Sequence, residues 1–150
     1  MLDTVRTIVV PVDFSSASAS LFQAAINLAR IYEADIHLLH VYQDVFSVLS
    51  MRTFDLSEDV VEEALVKEIG EKFGVLLEAA PADISVNTSI RKGETDEKIL
   101  EFVRETGGDL IVIATNARSG IEEFFLGSIA QSIVRCAPCP VVTIRAAHSD

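Results

Sequence analysis

Cysteine is nearly absent from this sequence: Cys136 and Cys139 are its two thiols. That is too few for a disulfide framework, and the scarcity fits a reducing compartment. Basic residues are also scarce, with 12 Lys and Arg against 23 Asp and Glu, a formal net charge of -11 and a pI near 4.6. Nucleic acid is excluded as a partner by that balance, because neutralising phosphates takes clustered cations, and an anionic membrane surface is disfavoured for the same reason. No apolar run approaches the roughly 18 residues of a membrane span, and Met1-Leu2-Asp3-Thr4-Val5-Arg6 has neither the basic nor the apolar region of a secretory signal. A cytoplasmic chain is the expectation. Linkers, internal repeats and low-complexity segments are lacking as well, so residues 1–150 are expected to form a single domain.

What is present suits a folded core. Hydrophobic residues make up 49% of the 150, charged residues 23%, and mean hydropathy is +0.36. A chain of this length buries roughly 68 to 70% of its unfolded surface, enough for a core without disulfides or a structural metal. The acidity is concentrated: residues 57–71 and 94–109 contribute -5 and -4 of the total. Acidic residues there favour solubility and complement helix dipoles.

The hydrophobic pattern alternates between two periods. Thr7 to Val12 (TIVVPV) is a short β-branched run, as in a strand buried on both faces, with Pro11 near its end where a missing donor does least harm. From Ser16 to Tyr32 the period becomes helical, with Leu21, Ala25, Leu28 and Tyr32 on one stripe behind a serine-rich start. Ile36 to Tyr42 predicts a second strand, and Gln43 to Leu56 has no period. A helix opens at Ser57 with Val61, Leu65 and Ile69 along one side, weakened in the middle by Gly70 and Gly74. Ile84 to Ile90 alternates like an edge strand. Thr95 is the expected cap of another helix, ended by Gly107-Gly108. Asp109 to Thr115 reads as a fourth strand, Gly127 to Cys136 as a short helix and Val141 to Ile144 as a last strand.

Strands interleaved with helices imply a parallel sheet covered on both faces. The expected architecture is α/β, a three-layer sandwich around five parallel strands of Rossmann-like topology, ordered 3-2-1-4-5. Ligands of such sheets bind beyond the carboxyl ends of the strands where the winding reverses, which directs attention to the loops after the first and fourth strands.

The first loop, Asp13-Phe14-Ser15-Ser16, contains no glycine, so a dinucleotide fingerprint is excluded. Its acid reads either as a helix cap, a role Ser15 would also suit, or as an acceptor for ribose or base-edge hydrogen bonds. The loop after the fourth strand runs from Ala114 and Thr115 to Gly127-Ser128. It lacks a Walker lysine, yet its backbone N-H groups and the following helix dipole suit an anion. A plain surface loop with a Gly-Ser cap is the competing reading.

Other candidates have structural readings. Cys136-Ala137-Pro138-Cys139 closes a helix and precedes a strand, opposite to a thioredoxin-type motif, and no second pair exists to complete a zinc site; packing thiols near the base of the sheet are expected. His37 and His40 lie on opposite faces of their strand, a structural or solvent-facing pair, and His148 belongs to the tail. Glu122 and Glu123 point different ways and do not read as an acid/base pair.

Val10-Pro11-Val12-Asp13 with Ser15, and Leu126-Gly127-Ser128 through Ala137-Pro138-Cys139-Pro140-Val141-Val142, together make the chain resemble a single-domain universal stress protein. Members that bind ATP carry Gly-x2-Gly-x9-Gly-Ser/Thr after the fourth strand. Here the spacing is kept while Ala114 and Ala117 replace the first two glycines. The resemblance implies that Asp13 contacts the adenosine part, that Val12 and Val41 border the adenine, and that Ser15, Gly127 and Ser128 serve the phosphates. Pro11, Ala114, Thr115, Ala117 and Arg118 complete the implied nucleotide site. ATP or AMP is the implied ligand, with Mg²⁺ held by phosphates and no metal held by protein. The implied role is a homodimeric stress-response sensor or regulator, paired through the last strand, Val141 to Arg145, and acting on an unspecified protein partner. An enzyme is not expected, a slow ATPase being the nearest case. The two alanines support an alternative, a member that has lost ATP and serves as a protein-interaction module.

Overall fold

The run at the start of the chain forms β1 (Thr7–Pro11), with Ile8, Val9 and Val10 fully buried, so both faces of this strand must be covered. The computed structural model describes residues 4–43, 58–115 and 127–145. After β1 come α1 (Ser18–Tyr32), β2 (Asp35–Tyr42), α2 (Glu58–Leu77), β3 (Val86–Lys92), α3 (Thr95–Thr106), β4 (Leu110–Ala114), α4 (Ser128–Cys136) and β5 (Val141–Ile144). The strands form one sheet, parallel as the alternation predicts and in the expected order β3-β2-β1-β4-β5.

Side chains alternate across the sheet and build two cores. Ile8, Val10 and Val12 face Leu21, Phe22, Ala25 and Ile26 of α1 and Ile69 and Phe73 of α2. Val9, Leu39, Ile111 and Ile113 face Ile99, Phe102 and Val103 of α3 and Ile133 of α4. Burial of each such side chain stabilises the fold by about 1.5–3 kcal/mol. Helices α1 and α2 thus cover one face and α3 and α4 the other, and the winding reverses between β1 and β4.

Asp109, just before β4, fixes the join between the two halves. Its Oδ2 accepts the N-H groups of Arg6 (2.9 Å) and Thr7 (3.0 Å) at the start of β1. Close approach here also requires glycine: a Cβ on Gly108 would lie 2.9 Å from Val9 Cγ2.

Several local expectations need correction. The third strand lies two residues later than the alternation suggests, because Arg91 and Lys92 extend the ladder opposite Val41 and Tyr42. Long stems let charged residues serve an edge strand. Thr95 is the first residue of α3 and not its cap; Glu94 holds that position without a side-chain bond, while Asp96 Oδ1 accepts the Glu97 N-H and Oδ2 the Ser132 hydroxyl of α4 (2.7 Å). Gly107, at φ 68°, does end α3 as expected. Helix α2 continues unbroken through Gly70 and Gly74.

Candidate functional site at the carboxyl ends of β1 and β4

Chain reversal at this end of the sheet begins with Pro11, whose missing N-H ends the strand, after which the Val12 N-H still reaches the Leu39 carbonyl (2.8 Å). Asp13 follows, exposed at the rim. Its Oδ1 accepts the Ser15 N-H at 2.9 Å and the hydroxyl of buried Ser18 at 3.5 Å. Partial burial would raise the carboxyl pKa, but the bonds from Ser15 and Ser18 outweigh it and hold the group below its ordinary value, ionised. Neither Asp13 nor Ser15 caps α1: the capping position is Ala17, which makes no side-chain bond, and Asp13 braces the turn before the helix.

Phe14 is a residue that sequence reasoning passes over. It sits at φ 60°, in the left-handed region that a bulky side chain rarely occupies. Its ring packs on His40 (4.7 Å between centroids) and edge-on against Phe73 of α2 (5.0 Å). Phenylalanine carries no sequence signal for such a turn, so only its position between Asp13 and the serines could have drawn attention.

Across the reversal, β4 ends at Ala114, paired with Ile144, and the N-H of buried Thr115 bonds to the Ile144 carbonyl (2.9 Å). Ala114 lies in extended strand and is not among the residues of positive φ, so its methyl group meets no backbone strain. Ala117 and Arg118 lie outside the described residues, as do residues 44–57, Glu122, Glu123 and His148. Buried Gly127 caps α4 in extended conformation without a side-chain bond, and exposed Ser128 opens the helix. The first turn of an α-helix has no intrahelical acceptors for its N-H groups, and its dipole favours an anion there.

The two valines do not share a surface. Val12 belongs to the core under α1 and α2, whereas Val41 packs with the core under α3 and α4. At the same end of the sheet, the Tyr42 hydroxyl donates to Glu62 (2.6 Å), and Lys92 pairs with Glu62 (3.5 Å) and Glu58 (3.7 Å). These bonds hold the start of α2 against the ends of β2 and β3.

His37 and His40 do occupy opposite faces. His37 Nε2 lies 2.8 Å from Ser89 Oγ, a pairing hidden from sequence spacing because the partners stand on adjacent strands. Its ring meets Phe102 edge-on, and burial together with the Arg91 charge lowers its pKa. No carboxylate hydrogen-bonds to His37 among the described residues, and its Ser89 partner lies on β3, beyond β2 from the β1–β4 junction; we read the pair as structural.

The thiols sit at the opposite end of the sheet. Cys139 is half-buried against the second core, with its pKa raised by burial and by Asp109. Cys136 is exposed, which corrects its reading as a packing thiol. Among the described residues no cluster of His, Cys, Asp and Glu could hold a metal ion, and no helix is long and apolar enough to cross a membrane.

Comparison with known proteins agrees with this architecture. The model of the universal stress protein family matches residues 4–145. A universal stress protein of Methanocaldococcus jannaschii is 29% identical over 93% of this chain and 82% of its own length. One from Bacillus subtilis is 30% identical over 91% of this chain and 96% of its own. Among solved structures, the universal stress protein UspA of Lactobacillus plantarum superposes with a TM-score of 0.69 at 25% identity, covering 93% of this chain and 97% of that one. Two more distant structures show the same fold: a universal stress protein in complex with cAMP (TM-score 0.63, 17% identity, 96% of this chain and 99% of that one) and one from Archaeoglobus fulgidus in complex with dAMP (0.59, 21%, 93% and 98%).

Proposed function

The chain belongs to the universal stress protein family, and from that premise we propose that it binds an adenine nucleotide in the crevice between the ends of β1 and β4 and acts as a homodimeric regulator in the cytoplasm. One observation carries the reading: a hydrogen-bond-accepting carboxylate, Asp13, stands two residues beyond one of the two strands at the reversal, and the other leads to an α4 N-terminus without a side-chain cap. The first suits a ribose hydroxyl or base amine, the second a phosphate. Nucleotide-bound relatives of the same fold support the ligand class.

Asp13 takes the adenosine part, bordered by Pro11 and the backbone of Val12 and, from the α3–α4 face of the sheet, by Val41. Ser15, Thr115 and Ser128 serve the phosphates by their hydroxyls and Gly127 and Ser128 by N-H groups at the start of α4, with Ala114, Ala117 and Arg118 completing the site. Mg²⁺ would travel with the phosphates of ATP. Occupancy of the crevice, not turnover, is the signal a protein partner reads. The second copy pairs along β5, an edge strand whose four residues are all half-exposed.

Calorimetry with ATP and AMP tests the ligand: a saturable heat that Asp13→Ala weakens about tenfold is expected, and no heat at millimolar nucleotide rejects it. That rejection would favour the interaction-module reading, for which the Ala117 replacement stands. Light scattering at micromolar protein is expected to give the dimer mass; a monomer mass removes the β5 pairing.

A further inference from the structure

We infer that His40 and Phe14 form a clamp on the backbone either side of Asp13, making His40 a positioning residue for the crevice; its value to a ligand rests on the nucleotide reading above. Phe14 holds φ at 60°, which costs free energy for any side chain but glycine and persists only where the surroundings enforce it. Those surroundings are the His40 ring at 4.7 Å and the Phe73 edge at 5.0 Å, with Lys72 Nζ 5.9 Å from the Phe14 centroid. On the other side of Asp13, His40 Nδ1 lies 2.8 Å from the Val12 carbonyl oxygen. A carbonyl can only accept, so Nδ1 carries the proton and donates. One imidazole therefore grips residue 12 by a hydrogen bond and residue 14 by ring packing.

With both neighbours held, Asp13 has little freedom except to turn its carboxylate onto the Ser15 N-H. The Ser15 N-H and the Ser18 hydroxyl both end on Oδ1, and the Ser15 hydroxyl also hydrogen-bonds to the carboxylate. An ionised carboxylate offers about four acceptor sites, so lone pairs remain for a further donor, and the ligand group met here is a hydroxyl or amine and not another anion. His40 touches no ligand in this arrangement; it sets where the acceptor stands.

The clamp is tested first without ligand, by following the Asp13 carboxyl carbon through an NMR pH titration. His40→Ala is expected to bring the Asp13 midpoint up toward the ordinary carboxylate value, because the turn that presents the Ser15 N-H loosens. His40→Asn places an amide donor near the position of Nδ1 while the Phe73 edge still holds the Phe14 ring, so the midpoint is expected to stay low, whereas His40→Phe keeps a ring, loses the donor and should behave like alanine. ATP calorimetry on the same proteins should show about tenfold weaker binding for the alanine and phenylalanine variants and recovery in the asparagine variant. An Asp13 midpoint unmoved in His40→Ala, or raised in a folded His40→Asn, overturns the clamp. A midpoint that moves as expected in a protein that never binds ATP upholds the clamp and overturns the nucleotide reading instead. Should His40→Ala fail to fold, the asparagine and phenylalanine pair decides alone.

Discussion

Replacing Ala114 by glycine restores the first glycine of the motif that the family resemblance implies for ATP binding, and the structure predicts that this restoration gains nothing for ligand binding. Ala114 is the last residue of β4, paired with Ile144 and followed by the Thr115-to-Ile144 backbone bond. Its backbone is extended, so the methyl costs no strain that glycine would relieve. Glycine in a strand costs about 0.5–1 kcal/mol in lost backbone entropy. Removing a partly buried methyl costs somewhat less than the roughly 0.8 kcal/mol of a buried CH₂ group, and Ala114 is half-buried against the first core. Together the destabilisation is about 1 kcal/mol, which for a domain of this size lowers Tm by about 2–4 °C. Thermal or urea denaturation reads that term, and calorimetry with ATP reads the other, where Ala114→Gly is expected to stay within about threefold of the parent affinity. Tightening by tenfold or more would show that the methyl stands in the ligand's place and refute the reasoning. An unchanged Tm would show instead that the side chain is not packed as described.

Two more outcomes follow from the titratable groups. The folded pKa of His37 lies below its ordinary 6.5, so the unfolded chain binds the extra proton first, and stability is full above that value and falls as pH drops through the folded pKa; His37→Gln should flatten denaturation midpoints as pH falls below 6.5, and an undiminished slope would show that His37 is not its source. Iodoacetamide at pH 7.5 should modify exposed Cys136 well before Cys139, whose thiol is half-buried and pushed up by burial and Asp109; peptide mass spectrometry showing equal rates would contradict that placement.

The residues that announce themselves in sequence are those whose environment is simple. Ile8, Val9 and Val10, or Ile111 to Ile113, must be buried on both faces whatever surrounds them, and the alternation of such runs with helical stripes carries the parallel, doubly covered sheet with it. Asp13 and Gly127-Ser128 stand where the winding reverses, so topology alone points to them. Features that depend on a partner are illegible beforehand. Thr95 gives way to Glu94 as cap although Glu94 makes no side-chain bond there, and Arg91 and Lys92 join β3 because β2 offers a ladder to pair with. His37 meets Ser89 through a register that no spacing encodes. Phe14 is the sharpest case, a residue whose own preference opposes the turn it makes and which is held there by His40 and Phe73.

The Asp109 bonds to Arg6 and Thr7 also set a timetable for the nascent chain. They span 103 and 102 residues, and β1 itself pairs on one side with nearby β2 but on the other with distant β4. Pairings of such separation are slow to form, since the intervening chain must be ordered first. At about 5–20 residues per second on a ribosome, β1 waits on the order of 5–20 seconds for its second neighbour to be made. Over that interval a strand with three fully buried residues has one open edge, and that edge is the place where another nascent copy or a chaperone can reach the chain.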